Sequence, residues 1–338
     1  RFREHLASRI EETSAGDGPR GRRIGEAGVV LAPLGGTYAD DGVTHRFVRC
    51  ELDGRLARLH VRGPDGPPPA DPAGARAAAD DLWSLRVARE LDDILLDLRF
   101  NRPEVGLILL DTEGDLDAVL AHDAFLLAHE DDWFVYEILK TWKRVLKRLD
   151  LTAKSVFALV EPGSCFGGTL FELTLAADRT YMLDGVFEDH DGPEHEDVLT
   201  LTEANSGAFP MANGISRLES RFWQRGDALA TATAACNRPL TAAEAAELEL
   251  VTETPDDLDW DDEIRLAIEE RASFSPDALT GMEANLRFCG PETMATKIFA
   301  RLSAWQNWIF IRPNASGPDG ALRRYGTGSR PDYNRERC

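Results

Sequence analysis

The sequence predicts an α/β protein in which helices cover both faces of a mainly parallel sheet. Three observations carry this reading. "VGLILLD" (105–111) and "SVFALVEPG" (155–163) are apolar runs without polar alternation, the pattern of strands buried on both sides. Around them lie stretches with apolar residues at helical spacing, Leu91, Ile94, Leu95 and Leu98 in one and Trp133, Phe134, Ile138, Trp142, Val145, Leu146 and Leu149 in the next. Strand and helix then alternate along the chain, which implies βαβ units with right-handed crossovers.

The elements follow in order. Residues 1–12 read as the end of a helix, and the Gly-rich stretch up to residue 42 as a connector with turn signals at Gly16-Asp17-Gly18 and Asp40-Asp41-Gly42. "RFVRCELDGRLARLHV" holds two strand-like runs around Asp53-Gly54, a pair suited to a tight hairpin turn. "GPDGPPPADPAGA" is a rigid loop, and residues 75–99 read as one amphipathic helix. After the second apolar strand, "EPGSCFGGTLFELTLAADR" (161–179) sets glycines at a turn and opens a helix. "TYMLD" is a further strand, "RPLTAAEAAELELVTE" a helix leading into a strand, and 260–314 is mostly helical. No internal repeat is present.

With 338 residues and 43% apolar content the chain can bury a full-sized core. Fifty-nine acidic against 38 basic residues give a net charge of −21, which repels nucleic acid and anionic membranes and excludes both as partners. Neither a membrane-spanning apolar stretch nor a signal peptide is visible, so the expected location is cytoplasmic. Five cysteines, odd in number and without a C-x-x-C pair, argue against a disulfide framework and a structural zinc site.

The chemistry centres on the glycine turn. Gly163, Gly167 and Gly168 before a helix leave backbone N–H groups pointing outward at the positive end of the helix dipole, a setting that stabilises a developing oxyanion. Glu172 lies one turn further, in an apolar wall that raises a carboxyl group's proton affinity toward that of a general acid–base. It reads also as a satisfied, half-buried residue of a structural helix. Glu203, in "LTLTEANSGAFPM", sits where a strand-like run ends in a loop and is the second candidate. Gly163-Ser164 lacks the G-x-S-x-G elbow, and the glycines do not spell G-x-G-x-x-G, which excludes a serine hydrolase and a dinucleotide site.

"SVFALVEPGSCFGGTLFELTLAADRTYML", with "LTEANSGAFP" and "RPLTAAEAAELELVTE" after it, resembles the crotonase (enoyl-CoA hydratase/isomerase) superfamily. More narrowly, "EPGSCFGGT", "FSPDALTGMEANLRFCGPETM" and "AWQNWIFIRPNASGPDGALRRYGTGS" are similar to the second half of a family of ring-opening lyases. These act on oxygenated benzoyl-CoA thioesters, release formate and carry two crotonase-like units in tandem. The resemblance implies a spiral of ββα units with a C-terminal helical region. It divides the chain into 1–42 (the end of a preceding unit plus linker), a core at 43–258 and helices and tail at 259–338.

The resemblance also implies an acyl-CoA thioester substrate, no cofactor, and a homo-oligomer in which the last helices, rich in Trp305, Trp308 and Phe310, pack against a neighbour. Glu172 and Glu203 match its catalytic glutamates and Asp178 the aspartate closing the helix. The oxyanion donors fall on the N–H groups of Thr169, after Gly167 and Gly168, and of Leu120 in "VLAHD". Thr169, Leu170 and Leu120 depart from the glycines usual there. An enzyme using Glu172 and Glu203 and a non-catalytic second half supporting an upstream catalytic unit therefore both stand, beside a general enoyl-CoA hydratase/isomerase.

Two charged segments have competing readings. "KTWKRVLKR" offers Lys143 and Lys147 as a CoA-phosphate site or as a solvated helix face, with Arg323, Arg324 and Arg330 as rivals. "FEDHDGPEHEDV" collects His190, His195 and carboxylates without a closed metal-ligand spacing, so no metal is expected; it reads as a surface loop.

Overall fold

The computed structural model describes residues 2–14, 28–187 and 198–336. Residues 15–27 of the expected connector and 188–197 of the His-rich loop lie outside the described residues. Phe2–Ser14 form helix α1. A seven-stranded sheet follows in sequential order: β1 (Thr37–Ala39), β2 (Gly42–Thr44), β3 (Val48–Asp53), β4 (Leu56–Arg62), β5 (Leu107–Glu113), β6 (Ser155–Val160) and β7 (Arg179–Met182). The first four pair antiparallel, and β4 to β7 pair parallel. The β3–β4 hairpin turns at Asp53-Gly54, where Gly54 has φ 56°, the left-handed conformation that glycine adopts without strain. Strand pairing begins at Thr37, inside the segment expected to be connector.

Helix α2 (Pro72–Ala78) and α3 (Trp83–Phe100) replace the single helix expected over 75–99. Ala79 takes φ 53° at the break, and the displaced Asp80 comes within 3.5 Å of Arg86 and 3.7 Å of Arg89. Between β5 and β6 stand α4 (Leu116–Ala128) and α5 (Trp133–Asp150), each capped by an aspartate, Asp115 and Asp132, whose side chain accepts from the N–H groups of the first turn. Helix α6 (Gly168–Ala176) connects β6 to β7, and α7 (Arg217–Arg221), α8 (Gly226–Ala234), α9 (Ala242–Glu247), α10 (Trp260–Ser273) and α11 (Pro276–Leu286) follow. The strand expected after α9 is reduced to a single parallel bridge between Glu253 and Tyr181.

Alternation along β5 and β6 divides the core. Ile108, Leu110, Val156, Ala158 and Val160 join the large cluster with α3 and α5; Leu107, Leu109, Phe157 and Leu159 meet Trp260, Ile264 and Ala267 of α10 on the other face. Both faces are thus apolar, which is why these strands read as unbroken hydrophobic runs. Cys50, Cys165, Cys236 and Cys289 are free thiols. Among the described residues no helix is long and apolar enough to cross a membrane.

Helix α11 is fastened to the sheet by charge. Glu283 accepts from Ser155 Oγ, and Arg287 lies 3.1 Å from Glu283 and 3.0 Å from Asp178, whose carboxylate also accepts the Val156 N–H at 2.6 Å. Burial, reinforced by Asp178 beside it, pushes the Glu283 carboxyl up to about 8 from an ordinary 4.5. The folded chain therefore keeps a proton that the unfolded chain releases. The contribution of this group to stability is complete below about pH 4.5 and is lost as pH rises through about 8. Glu283→Gln is expected to flatten the fall of the thermal midpoint between pH 5 and pH 9, read by calorimetry across that range; an unchanged slope would refute this assignment.

Candidate functional site

The glycine turn is built by the end of β6 and the start of α6. Gly168 has φ 48°, and a Cβ added there would lie 2.2 Å from Asp123 Oδ2, so only glycine admits the close approach of α4. Gly167 serves the same contact from the apolar side, since its Cβ would fall 2.6 Å from Leu116 and 3.0 Å from Leu120.

The N–H groups of Gly167, Gly168, Thr169 and Leu170 all have partners inside the protein. Gly167 donates to Cys165 O at 2.9 Å, Gly168 to Thr200 O at 3.0 Å, and Leu170 to Gly167 O at 2.9 Å. Thr169 N–H, the expected oxyanion donor, donates to Asp123 Oδ1 at 3.2 Å. Thr169 Oγ1 donates to the same oxygen, and Thr202 Oγ1 donates to Asp123 Oδ2 at 2.7 Å. Asp123 is buried, and burial raises its proton affinity against these hydrogen bonds. A carboxylate of the protein thus sits where an acyl oxygen was expected. Leu120, the other expected donor, lies inside α4 rather than in a loop, and helical geometry directs its N–H to the carbonyl four residues earlier.

Glu172 is 1% exposed and fully partnered. Asn205 Nδ2 donates to its Oε1 at 2.9 Å and also to Gly168 O at 2.9 Å; Arg217 Nη1 donates to its Oε2 at 2.8 Å. The same guanidinium binds Asp150 through Nε at 2.9 Å and Nη2 at 2.7 Å, and Phe209 O at 3.0 Å. Burial raises the proton affinity of Glu172 and of Asp150, with Arg217 opposing it; burial also works against the Arg217 charge, and the two carboxylates outweigh it. Glu203 is placed differently. It is exposed at the start of a 3₁₀ turn, Glu203–Ser206, and accepts from Asn237 Nδ2 at 2.8 Å. The two glutamates thus have separate partners and opposite exposure.

Lys143 and Lys147 lie on the partly exposed side of α5 together with Arg148, which pairs with Asp92 at 2.6 Å. Burial, then the neighbouring Lys140 and Lys147, lowers the Lys143 proton affinity. Asp178 follows α6, just past its C-cap Ala177, and accepts the Val156 N–H at 2.6 Å. Sequence reasoning did not find Asp123, Asp150, Asn205 or Arg217. A lone acid in the apolar "VLAHDAFLLA" was the available signal for Asp123; the other three join residues far apart in the chain and left none.

Comparison with solved structures decides the architecture. An enoyl-CoA hydratase of Mycobacterium smegmatis matches with a TM-score of 0.58 at 13% identity, covering 86% of this chain and 99% of that one. An enoyl-CoA hydratase/isomerase of Cupriavidus metallidurans CH34 matches with a TM-score of 0.57 at 18% identity, covering 84% of this chain and 95% of that one. The chain has the crotonase fold. No family model matches it. In sequence it is 48% identical over 339 residues to a benzoyl-CoA-dihydrodiol lyase of Aromatoleum evansii, across 99% of this chain. The chain spans 59% of the length of that relative. Within this crotonase fold, the turn that opens α6 is occupied by Asp123 and backed by the Arg217 cluster.

Removing the cation of that cluster leaves two buried carboxylates uncompensated. Arg217→Ala is expected to cost roughly 3–5 kcal/mol in urea unfolding near neutral pH, and Glu172→Gln less, because Arg217 then keeps Asp150. Equal losses in the two variants would contradict this picture.

Proposed function

We propose that this chain is part of a lyase acting on a coenzyme A thioester, of the same kind as the Aromatoleum evansii relative: an enzyme that opens an oxygenated benzoyl-CoA ring and releases formate. The support is identity of 48% along 99% of the chain, far above the 13–18% shared with the enoyl-CoA hydratases of the same fold. The polypeptide carrying the chain, given the dihydrodiol or epoxide form of benzoyl-CoA, is expected to yield formate and a ring-opened thioester by mass spectrometry. Turnover of crotonyl-CoA instead would favour a general enoyl-CoA hydratase/isomerase.

Within that enzyme, we propose that this unit is the supporting crotonase-like half, with 43–258 as its core and 259–338 as a helical region. The hydrogen bond from Thr169 N–H to Asp123 carries this reading, because an acyl oxygen at the turn needs the donor that Asp123 holds. Glu172 then serves as an anchor for Arg217, and Thr169, Leu120, Lys143 and Lys147 have no contact with substrate. The apolar side chains exposed near the C-terminus, Met294, Phe299 and Ile311, favour self-association.

The rival assignment gives Glu172 and Glu203 the proton transfers. It is tested in the whole enzyme with Glu203→Gln, a change on the surface that leaves folding intact. Turnover within about 2-fold of wild type supports the supporting role, whereas a loss of ~10²-fold at an unchanged unfolding midpoint moves catalysis to this unit.

A further inference from the structure

A cavity of about 370 Å³ lies at the end of α6 opposite the glycine turn, between α7 and α11. Its size is that of a small-ligand pocket, and its wall is of two kinds. Leu175, Met211, Met282 and Leu286 supply apolar surface; Arg217, Arg221, Arg271 and Arg287 supply four guanidinium groups. Three of these are engaged. Arg217 holds Glu172 and Asp150, and Arg287 holds Asp178 and Glu283. Arg271 donates to Ser155 Oγ at 2.8 Å and lies over the Phe157 ring, 5.0 Å from its centroid.

Arg221 is the exception. Its Nε donates to Glu249 O at 2.7 Å, and its two terminal nitrogens have no partner among the described residues. The nearby Glu249 carboxylate is hydrogen-bonded by Arg225 at 2.7 Å and reaches Arg221 only through its field. The carboxylates in the wall, Asp150, Asp178 and Glu283, belong to the engaged arginines. A chain of net charge −21 therefore leaves one half-buried guanidinium with two terminal nitrogens that no described side chain or carbonyl accepts from, at the wall of a half-apolar cavity.

We infer that this cavity binds a small organic carboxylate with an apolar body. The planar carboxylate sits on the free edge of Arg221, whose fork matches it with two parallel hydrogen bonds. The body, an aryl or short alkyl group, lies against Leu175, Met211, Met282 and Leu286, where the two methionines adapt to its outline. One free fork and a wall half apolar suit a monoanion of this kind better than inorganic phosphate, which would leave the apolar half unfilled.

The test is calorimetric titration of the whole protein with benzoate, hexanoate and inorganic phosphate. One carboxylate per chain is expected to bind, and Arg221→Gln to weaken it by ~10-fold or more, the worth of a charged hydrogen-bonded pair. Arg265→Gln, on the exposed side of α10 outside the cavity wall, is expected to leave it unchanged. Met282→Gln, which keeps every charge, is expected to weaken benzoate and hexanoate, and it provides the test should the Arg221 variant fail to fold. Absence of carboxylate binding at millimolar concentration, or equal affinity in the Arg221 and wild-type proteins, overturns the inference. Phosphate binding as tightly as the carboxylates overturns the apolar half of the assignment.

Discussion

A guanidinium group buried between two carboxylates governs the centre of this molecule. Arg217 enters from α7, Glu172 from α6 and Asp150 from the end of α5, so one cation joins three helices at a point where water does not reach. Desolvating these groups is expensive, and their mutual attraction offsets that cost only when the geometry satisfies nearly every donor and acceptor. Here Arg217 spends its donors on four oxygens, and Asn205 supplies what Glu172 still lacks. The arrangement fixes the direction of α6, and with it the glycine turn at its start.

The helix start is closed by the same economy. Backbone N–H groups at a helix N-terminus must find acceptors, and a turn with several outward N–H groups invites an anion. In this chain the acceptors are internal: Thr200 O for Gly168 and the Asp123 carboxylate for Thr169. Gly167 and Gly168 remain glycines because α4 presses against them, Leu116 and Leu120 on one and Asp123 on the other. Helix packing is therefore a sufficient reason for glycine at both positions.

The layout of strands and helices was legible because it is written in local patterns. The unbroken apolar runs of β5 and β6 reported strands covered on both faces, and the spacing of Leu91 to Leu98 and of Trp133 to Leu149 reported helices with one buried stripe. Boundaries were less visible. The break at Ala79 depends on a backbone conformation that alanine rarely adopts and on ion pairs made by Asp80. Likeness to a donor stretch put Leu120 of "VLAHD" at an oxyanion site, although Asp115, a ready helix cap just before Leu116, marked the start of α4. At the site, the positions of Glu172 and Gly168 were legible and their partners were not. Asp123 and Thr169 are 46 residues apart and Arg217 and Asp150 are 67, distances over which a single sequence gives no pairing information.

Asp123 also changes what binding at the turn would require. Its carboxylate resembles, in charge and in hydrogen bonding, the oxygen that such turns hold during acyl chemistry, and it is tethered to the same fold. On the proposed supporting role, Asp123 competes with any acyl oxygen from within the same fold. Any guest must first evict it, and the evicted charge must find new solvation in a chain already rich in acids.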